Sequence, residues 1–263
     1  MDLHLAGKTA VVTGGSKGIG LAIVRTLAAE GMRVVAAART VTPELAALAP
    51  DVTAVTADLA TREGARTLGA RALDVLGGVD ILVNNLGGVR SGIGHDERFA
   101  DIDDDAWQET FELNLFSAVR VTRAVLPSVV ERRGVIITMS SIGARFAHPP
   151  IEYGAAKAAL TNVSKALAEE LGRHGVRAVT VSPGPTRTQN WSDPSSMAGD
   201  LAREAGLDLD TFLAELPGRM GITTGRLAEP EETAALVAFL ASPHAANITG
   251  TDYLVDGGVI KTV

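Results

Sequence analysis

Two side chains that could exchange a proton stand four residues apart in the stretch IEYGAAKAAL. If this stretch is helical, Tyr153 and Lys157 project from one face of the helix. A free phenol has a pKa of about 10, and a nearby ammonium group favours its ionised form. The pair could therefore serve as a general acid and base near neutral pH. It could also be an ordinary surface tyrosine that packs over a lysine stem.

A second stretch with chemical potential is TGGSKGIG, at residues 13–20, directly after the run TAVV. Gly14, Gly18 and Gly20 would permit a tight turn, a close approach of a ligand, and close packing of a helix on a strand. A helix N-terminus offers unpaired N–H groups and a partial positive charge, which suit a pyrophosphate. The same glycines could instead serve only the reversal of a strand into a helix.

The elements that must position these residues alternate along the whole chain. Strand patterns cover 9–14, 33–38, 52–58, 79–85, 134–141, 176–183 and 251–258, and helical patterns cover about 18–30, 61–76, 104–131, 152–173 and 230–241. Several strands are near-continuous apolar runs, which are typical of strands buried on both faces. This order predicts an α/β fold, a single-domain Rossmann-type doubly wound parallel sheet of about seven strands with helices on both faces. The domain would span 1–263. It would contain an insertion at about 185–228, which is long enough to be a substrate lid.

Composition excludes several classes of function. The chain has 263 residues, a net charge of −7 and no long basic run, which disfavours nucleic acid or an anionic membrane as a partner. It has no cysteine, and its five histidines show no metal-ligand spacing, so we expect no metal site. We find no signal-peptide pattern and no apolar stretch of about 18 residues, and we expect a cytoplasmic protein.

Several motifs, taken in order, resemble the short-chain dehydrogenase/reductase family, in its single-domain branch. They are TGGSKGIG at 13–20, Asp58 in ADLA, NNLG at 84–87, Asn114 in FELNLF, SS at 140–141, YGAAK at 153–157, PGPTRT at 183–188 and DGG at 256–258. They span nearly the whole chain. Leu86 stands where the family usually has alanine, and it adds bulk beside the cofactor cleft.

The resemblance implies hydride transfer between a nicotinamide cofactor and a carbonyl or secondary alcohol, with Asn114, Ser141, Tyr153 and Lys157 as the catalytic residues. Tyr153 would be the general acid or base, and Ser141 would hydrogen-bond the carbonyl oxygen where negative charge develops. Lys157 would hold the nicotinamide ribose and, with the oxidised nicotinamide, favour the phenolate. Asn114 would fix a water in a proton relay. Ser140 has the family's spacing to the tyrosine, but Ser141 has the family's neighbours, and we favour Ser141.

The resemblance also implies a set of cofactor-binding residues. They are Gly14, Ser16, Lys17, Gly18, Ile19, Gly20, Arg39, Asp58, Leu59, Asn85, Gly87, Tyr153, Lys157, Pro183, Gly184, Thr186 and Thr188. An acid after the second strand would bind a free ribose 2′-OH, but this chain has Ala38 followed by Arg39. With Lys17 nearby, this predicts NADP(H) in preference to NAD(H). Arg39 could also merely solvate the end of the strand.

The substrate is left open by the sequence. Candidate pocket walls are Phe146, His148, the loop 87–94, Trp191, Met197, Phe212 and Met220, although these side chains could simply pack the lid. The resemblance extends to 3-oxoacyl-(acyl-carrier-protein) reductases, in which Arg132 and Arg133 would meet an acidic carrier. A hydroxysteroid, a polyol or sugar, and a polyketide ketone are the other options. The family implies a homotetramer.

Two other functions remain open at this point. One is a dinucleotide-binding regulatory protein that keeps the fold without turnover, although such a protein has no need of Tyr153. The other is an enoyl reductase of the same superfamily, in which the spacing from tyrosine to lysine is usually longer than the four residues found here.

Overall fold

The computed structural model describes residues 1–89, 98–148 and 150–262. The strands are β1 Thr9–Thr13, β2 Arg33–Ala38, β3 Val52–Thr56, β4 Ile81–Asn84, β5 Val135–Met139, β6 Arg177–Pro183 and β7 Asp252–Val255. The helices are α1 Gly18–Ala29, α2 Pro43–Ala46, α3 Arg62–Leu76, α4 Asp104–Phe111, α5 Ser117–Glu131, α6 Ile151–Leu171, α7 Gln189–Ser192, α8 Met197–Glu204, α9 Leu209–Arg219 and α10 Pro230–Ala241.

The seven strands form one parallel sheet in the order β3-β2-β1-β4-β5-β6-β7. The predicted doubly wound parallel sheet is therefore confirmed. The strand order reverses at β1, which pairs with β2 on one side and with β4 on the other. Ligands of such sheets bind beyond the carboxyl ends of the strands at this reversal. The glycine turn at 13–20 follows β1 at that point.

Both faces of the sheet are covered, as the apolar strand patterns predict. Along β1, Ala10 and Val12 face one hydrophobic cluster and Val11 faces the other, and all three side chains are fully buried. Helices α1 and α10 pack against each other over the first face, whereas α3, α5 and α6 contribute to the second cluster. Burial on both faces leaves the strand ends as the place where polar side chains can meet.

The helical pattern predicted over 104–131 is one continuous helix with an irregular turn. Helix α4 leads into a wider, π-helical turn at Glu112–Phe116, and α5 follows it directly. By length and composition this stretch could span a membrane. Its apolar stripe is accounted for, however, because Val121, Val125 and Val129 are fully buried in the core of the sheet.

The insertion at 185–228 contains three helices, α7 to α9. Its two ends form a short parallel bridge, in which Arg187 N–H donates to the Ala228 carbonyl at 2.7 Å and Ala228 N–H donates to the Pro185 carbonyl at 3.0 Å. Arg187 also pairs with Glu229 at 3.0 Å. The helices share their own small apolar cluster around Phe212 and Leu216.

Candidate active site

A cleft of about 1820 Å³ lies beyond the carboxyl ends of the strands. Every residue that the sequence assigns to cofactor binding lines it, from the glycine turn to Thr188. The residues thus come from the ends of β1, β2, β4 and β6, from the segment after β3, and from α6. The sheet places together side chains that are up to 174 residues apart in sequence, as from Gly14 to Thr188.

The glycine turn is shaped by steric demands that only glycine meets. Gly14 and Gly18 have positive φ angles of 67° and 54°, which disfavour any other residue. A Cβ atom at Gly20 would lie 2.1 Å from the Gly14 carbonyl oxygen and 2.4 Å from the Asn85 amide nitrogen. The N-terminus of α1 can approach the turn this closely only because Gly20 has no side chain.

Asn85 stabilises the same turn from the neighbouring strand. Its side-chain amide donates to the carbonyl oxygens of Thr13 at 2.9 Å and Gly14 at 3.2 Å. The Thr13 hydroxyl in turn accepts from the backbone N–H groups of Asn85 and Leu86, both at 2.9 Å. The predicted cofactor residue Asn85 therefore also holds the glycine turn in shape, and this reciprocal bonding fixes Leu86 in place beside the cleft.

The end of the cleft beside the glycine turn and β2 carries two exposed cations. Lys17 precedes α1 in the glycine turn, and Arg39 directly follows Ala38, the last residue of β2. All three line the cleft, and Ala38 leaves room beside Arg39. Asp58 also lines the cleft, where its carboxylate accepts from the Ala60 N–H at 3.1 Å.

Tyr153, Lys157 and Ser141 meet at the other end of the cleft. The Lys157 ammonium nitrogen lies 5.8 Å from the centroid of the Tyr153 ring and donates to the Met139 carbonyl at 2.9 Å. Burial lowers the pKa of Lys157 to about 8. Burial also raises the pKa of Tyr153, while its hydrogen bond with Ser141 acts in the opposite direction. The protein's own groups therefore do not produce the lowered phenol pKa that the sequence suggests, because desolvation dominates.

The two adjacent serines point to different partners. The Ser140 hydroxyl bonds to α6, at 3.2 Å from the Lys157 carbonyl and 2.7 Å from the Thr161 hydroxyl. The Ser141 hydroxyl accepts from Gly143 N–H at 3.1 Å and is hydrogen-bonded with Tyr153. Of the two hydroxyl groups, the one on Ser141 is therefore the one in contact with Tyr153.

Asn114 lies behind the cleft wall, where its side chain is completely buried in the π-helical turn. It forms a reciprocal pair with Gly88, accepting from its N–H at 2.9 Å and donating to its carbonyl at 3.0 Å. A Cβ atom at Gly87 would lie 2.7 Å from both the Asn114 side-chain oxygen and the Lys157 ammonium nitrogen. Asn114 and Lys157 therefore converge on the backbone at Gly87.

The part of the cleft beside Tyr153 is lined by both apolar and polar side chains. The predicted residues Phe146, His148, Trp191, Met197, Phe212 and Met220 all line the cleft, and Leu201, Leu216 and Val259 join them. The loop 87–94 lies within the described residues only as far as 89. The sequence analysis missed four polar residues that also line the cleft: Asp105, Gln108 and Glu109 on α4, and Glu112 at the start of the π-helical turn. No local motif marks them, because only helix packing brings them to the cleft.

Within residues 1–89, 98–148 and 150–262, no group of three potential metal ligands lies together. A dinucleotide, in contrast, fits a cleft with this volume, a bare glycine turn at a helix N-terminus and exposed cations. A tyrosine able to exchange a proton lies at its far end. Fold and site together define an NAD(P)-dependent oxidoreductase that acts on an alcohol or carbonyl group.

Comparison with known proteins gives the family. A family model described as Enoyl-(Acyl carrier protein) reductase matches residues 14–260. The oxidoreductase UcpA of Escherichia coli is 36% identical over 97% of this chain and 95% of its own. The 3-oxoacyl-[acyl-carrier-protein] reductase FabG of Vibrio cholerae is 35% identical over 98% and 99%. A crystal structure of L-sorbose reductase from Gluconobacter frateurii, complexed with NADPH and L-sorbose, matches with a TM-score of 0.90, 35% identity and full coverage of both chains. The chain belongs to the short-chain dehydrogenase/reductase family, and the non-catalytic alternative finds no support in these comparisons.

Proposed function

We propose that this enzyme uses NADPH to reduce a ketone that carries hydroxyl groups, with Tyr153 as the proton donor. The observation that supports this most strongly is the group of Ser141, Tyr153 and Lys157 in the cleft, in which Lys157 is buried and the other two side chains are partly exposed. Bound NADPH would supply the hydride to the carbonyl carbon. The protein's part is to hold the carbonyl oxygen and to deliver the proton.

The protonation states suit the direction of reduction. Because burial raises the pKa of Tyr153, its phenol keeps its proton at neutral pH and is ready to donate it to the developing alkoxide. The Ser141 hydroxyl would donate a second hydrogen bond to the same oxygen. Lys157, with a pKa of about 8, can release and recover a proton close to physiological pH. It could thus return a proton towards Tyr153 after each turnover.

The walls of the substrate end support a hydroxylated substrate. Trp191 and its apolar neighbours on the insertion offer a surface for C–H groups, while Gln108, Asp105 and Gln189 offer hydrogen-bond partners for hydroxyl groups. Small sugars and polyols present both kinds of surface. The sorbose-bound relative is consistent with this class.

An acyl thioester delivered by a carrier protein is the second candidate, because of the similarity to the Vibrio reductase. Arg132 and Arg133 follow α5 and precede β5. They therefore lie at the amino-terminal end of β5, whereas the cleft of their own chain lies beyond the carboxyl ends of the strands. Arg132 lies 3.9 Å from Asp80. Within one chain, these arginines therefore do not border the cleft, and we favour the small hydroxylated ketone.

A substrate panel tests the proposal. Ketoses, a 3-oxoacyl thioester, a 2-enoyl thioester, a ketosteroid and a simple aliphatic ketone would each be mixed with enzyme and NADPH, and cofactor oxidation followed by absorbance. We expect the highest kcat/KM for a ketose. Preference for the oxoacyl thioester would establish the second candidate, and turnover of the enoyl thioester would contradict carbonyl chemistry.

We also propose a preference for NADP(H), and one double substitution tests it. Replacing Ala38 by Asp and Arg39 by Leu installs a carboxylate and removes a cation beside the ribose. Each charge-assisted hydrogen bond lost is worth about 1.5–3 kcal/mol, so NADPH affinity should fall by about tenfold or more. Affinity for NADH should hold or improve, because the carboxylate can accept from a free 2′-OH.

The measurement is kcat/KM for both cofactors at one ionic strength, because salt weakens exposed charges. Arg39→Lys is the matched control, which keeps the charge and should keep most of the preference. If the wild type already prefers NADH, or the double variant still prefers NADPH, Arg39 only solvates the end of β2.

We further propose that the insertion is a lid, and hydrogen exchange can test this. Its base should exchange slowly in every state, because Arg187 and Ala228 are bonded across the parallel bridge. Peptides from α8 and α9 should exchange quickly in the free enzyme and become protected when cofactor and substrate bind. Equal protection of α8 and α9 in the free and ternary states would show a fixed wall rather than a lid.

A homotetramer and a cytoplasmic location remain predictions that rest on the family resemblance and on composition. Light scattering of the purified protein checks the first, and fractionation of the cells that make it checks the second.

A further inference from the structure

A buried carboxylate joins the turn that carries Ser141 to the edge of the sheet. Asp252, the first residue of β7, has a side chain that is only 9% exposed. It accepts from the Arg145 guanidinium, with Nε at 3.0 Å and a terminal nitrogen at 2.8 Å. It also accepts from the Ser182 hydroxyl at 2.7 Å. Neither Arg145 nor Asp252 lines the cleft.

Arg145 ends a compact turn that begins at Ser141. Within it, Ala144 N–H donates to the Ser141 carbonyl at 3.0 Å, and Arg145 N–H donates to the Ile142 carbonyl at 2.9 Å. The Ser141 hydroxyl is itself bonded to Gly143 in the same turn. Because these hydrogen bonds join residues of the same turn, we expect the turn to move as a unit. A displacement of Arg145 should therefore also displace Ser141.

The turn is held to the sheet at both ends. At its start, Ser140 N–H donates to the Val181 carbonyl at 2.8 Å, which continues the ladder between β5 and β6. At its end, the Arg145 side chain reaches Asp252 on β7. Beside the packing of Ile142 in its apolar cluster, the second attachment restricts rotation of the turn about the first, and with it the direction of the Ser141 hydroxyl.

We propose that Arg145 and Asp252 are positioning residues, which orient the Ser141 hydroxyl towards Tyr153 and the substrate carbonyl. This inference rests on the proposed function of Ser141. It assigns a role in the reaction to a pair that lies outside the cleft. A misplacement of about 1 Å in such a site can cost about a hundredfold in rate, so the loss of either side chain should be visible in kcat.

The first test separates rate from binding. Arg145→Met should lower kcat for ketone reduction by at least about tenfold. It should leave the NADPH dissociation constant unchanged. Arg145→Lys keeps a cation opposite Asp252 and should restore part of the loss. Asp252→Asn keeps the size of the side chain, so it reports on the ionic contact even if Arg145→Met folds poorly. Arg71→Met, which breaks an exposed pair with Asp74 on α3, is the matched control and should behave as wild type.

The second test uses the ionisation of Tyr153. The hydrogen bond from Ser141 lowers its pKa and burial raises it. Releasing Ser141 therefore leaves the effect of burial alone, and the pKa should rise further. Alcohol oxidation needs the phenolate, so its pH profile should move to higher pH in Arg145→Met and in Ser141→Ala. In the variant that combines Arg145→Met with Ser141→Ala, the pH profile should move no further than in Ser141→Ala alone, because both changes break the same hydrogen bond.

The same shift can be measured without turnover. The chain has two tyrosines, so in a Tyr253→Phe background the phenolate absorbance reports on Tyr153 by itself. We expect Arg145→Met to move its titration to higher pH, with the fold checked by circular dichroism. The positioning role would be overturned if the Tyr153 titration did not move. It would also be overturned if the losses of kcat from Arg145→Met and Ser141→Ala multiplied when the two substitutions were combined. An inactive wild type with the expected titration shift would instead contradict the proposed function and leave the coupling of Arg145 to Tyr153 established.

Discussion

Replacing Tyr153 with phenylalanine is expected to abolish nearly all turnover while NADPH binding survives. The substitution removes only the hydroxyl that would donate the proton, and the ring that remains still packs beside Lys157. General acid–base groups typically contribute about 10²–10⁴-fold to the rate, so kcat should fall within that range. The measurement is steady-state ketone reduction, together with the NADPH dissociation constant from fluorescence.

Tyr253→Phe supplies the matched control for this substitution. It removes the chain's other phenol, on β7, and should leave kcat close to the wild-type value because Tyr253 does not line the cleft. A Tyr153→Phe enzyme that kept more than about a tenth of the wild-type kcat would remove the phenol from the role of proton donor.

Among Gly→Ala substitutions in the glycine turn, Gly20→Ala is expected to weaken NADPH binding the most. The new Cβ atom would lie 2.1 Å from the Gly14 carbonyl oxygen, and both atoms belong to the backbone of a short turn. Relief requires α1 to move away from β1, which takes its N–H groups away from the phosphate position. Losing two charge-assisted hydrogen bonds, at about 1.5 kcal/mol or more each, corresponds to roughly a hundredfold weaker NADPH binding.

Overpacking should also destabilise the fold by about 1–3 kcal/mol, which denaturant unfolding can measure. Gly172→Ala is the matched control, because nothing lies within 4 Å of the Cβ position there and its φ is −55°. We expect that variant to bind NADPH as the wild type does. Normal NADPH affinity in Gly20→Ala would mean that the turn can widen without moving the phosphate-binding groups.

The sheet and the cofactor cleft could be predicted from sequence because their determinants are local. Apolar runs mark buried strands, and the glycine turn follows β1 directly, so the carboxyl-end rule places it at the reversal of strand order. The same rule brings Arg39 to one end of the cleft. Each of these features depends on a few neighbouring residues and a general property of parallel sheets.

Contacts between distant parts of the chain could not be predicted in this way. Arg145 and Asp252 are 107 residues apart, and neither stands in a motif. The polar face of α4 meets the cleft only through helix packing, and Asn114 in the π-helical turn bonds to Gly88, 26 residues away in sequence. The sequence shows the ammonium group near Tyr153, but a pattern of residue types does not show the burial that raises the pKa of the phenol in the chain alone.

The parallel bridge between Thr186 and Ala228 has a consequence for how such an enzyme can change. It closes the insertion at its base and leaves α7 to α9 with an apolar cluster of their own. Mutations in these helices can therefore alter the substrate wall with little effect on the stability of the sheet or on the cofactor turn. The stretch from α7 to α9, which begins after Thr188, is in this sense an exchangeable unit. Transplanting it between family members should carry substrate preference with it, while the recipient keeps its own choice of cofactor.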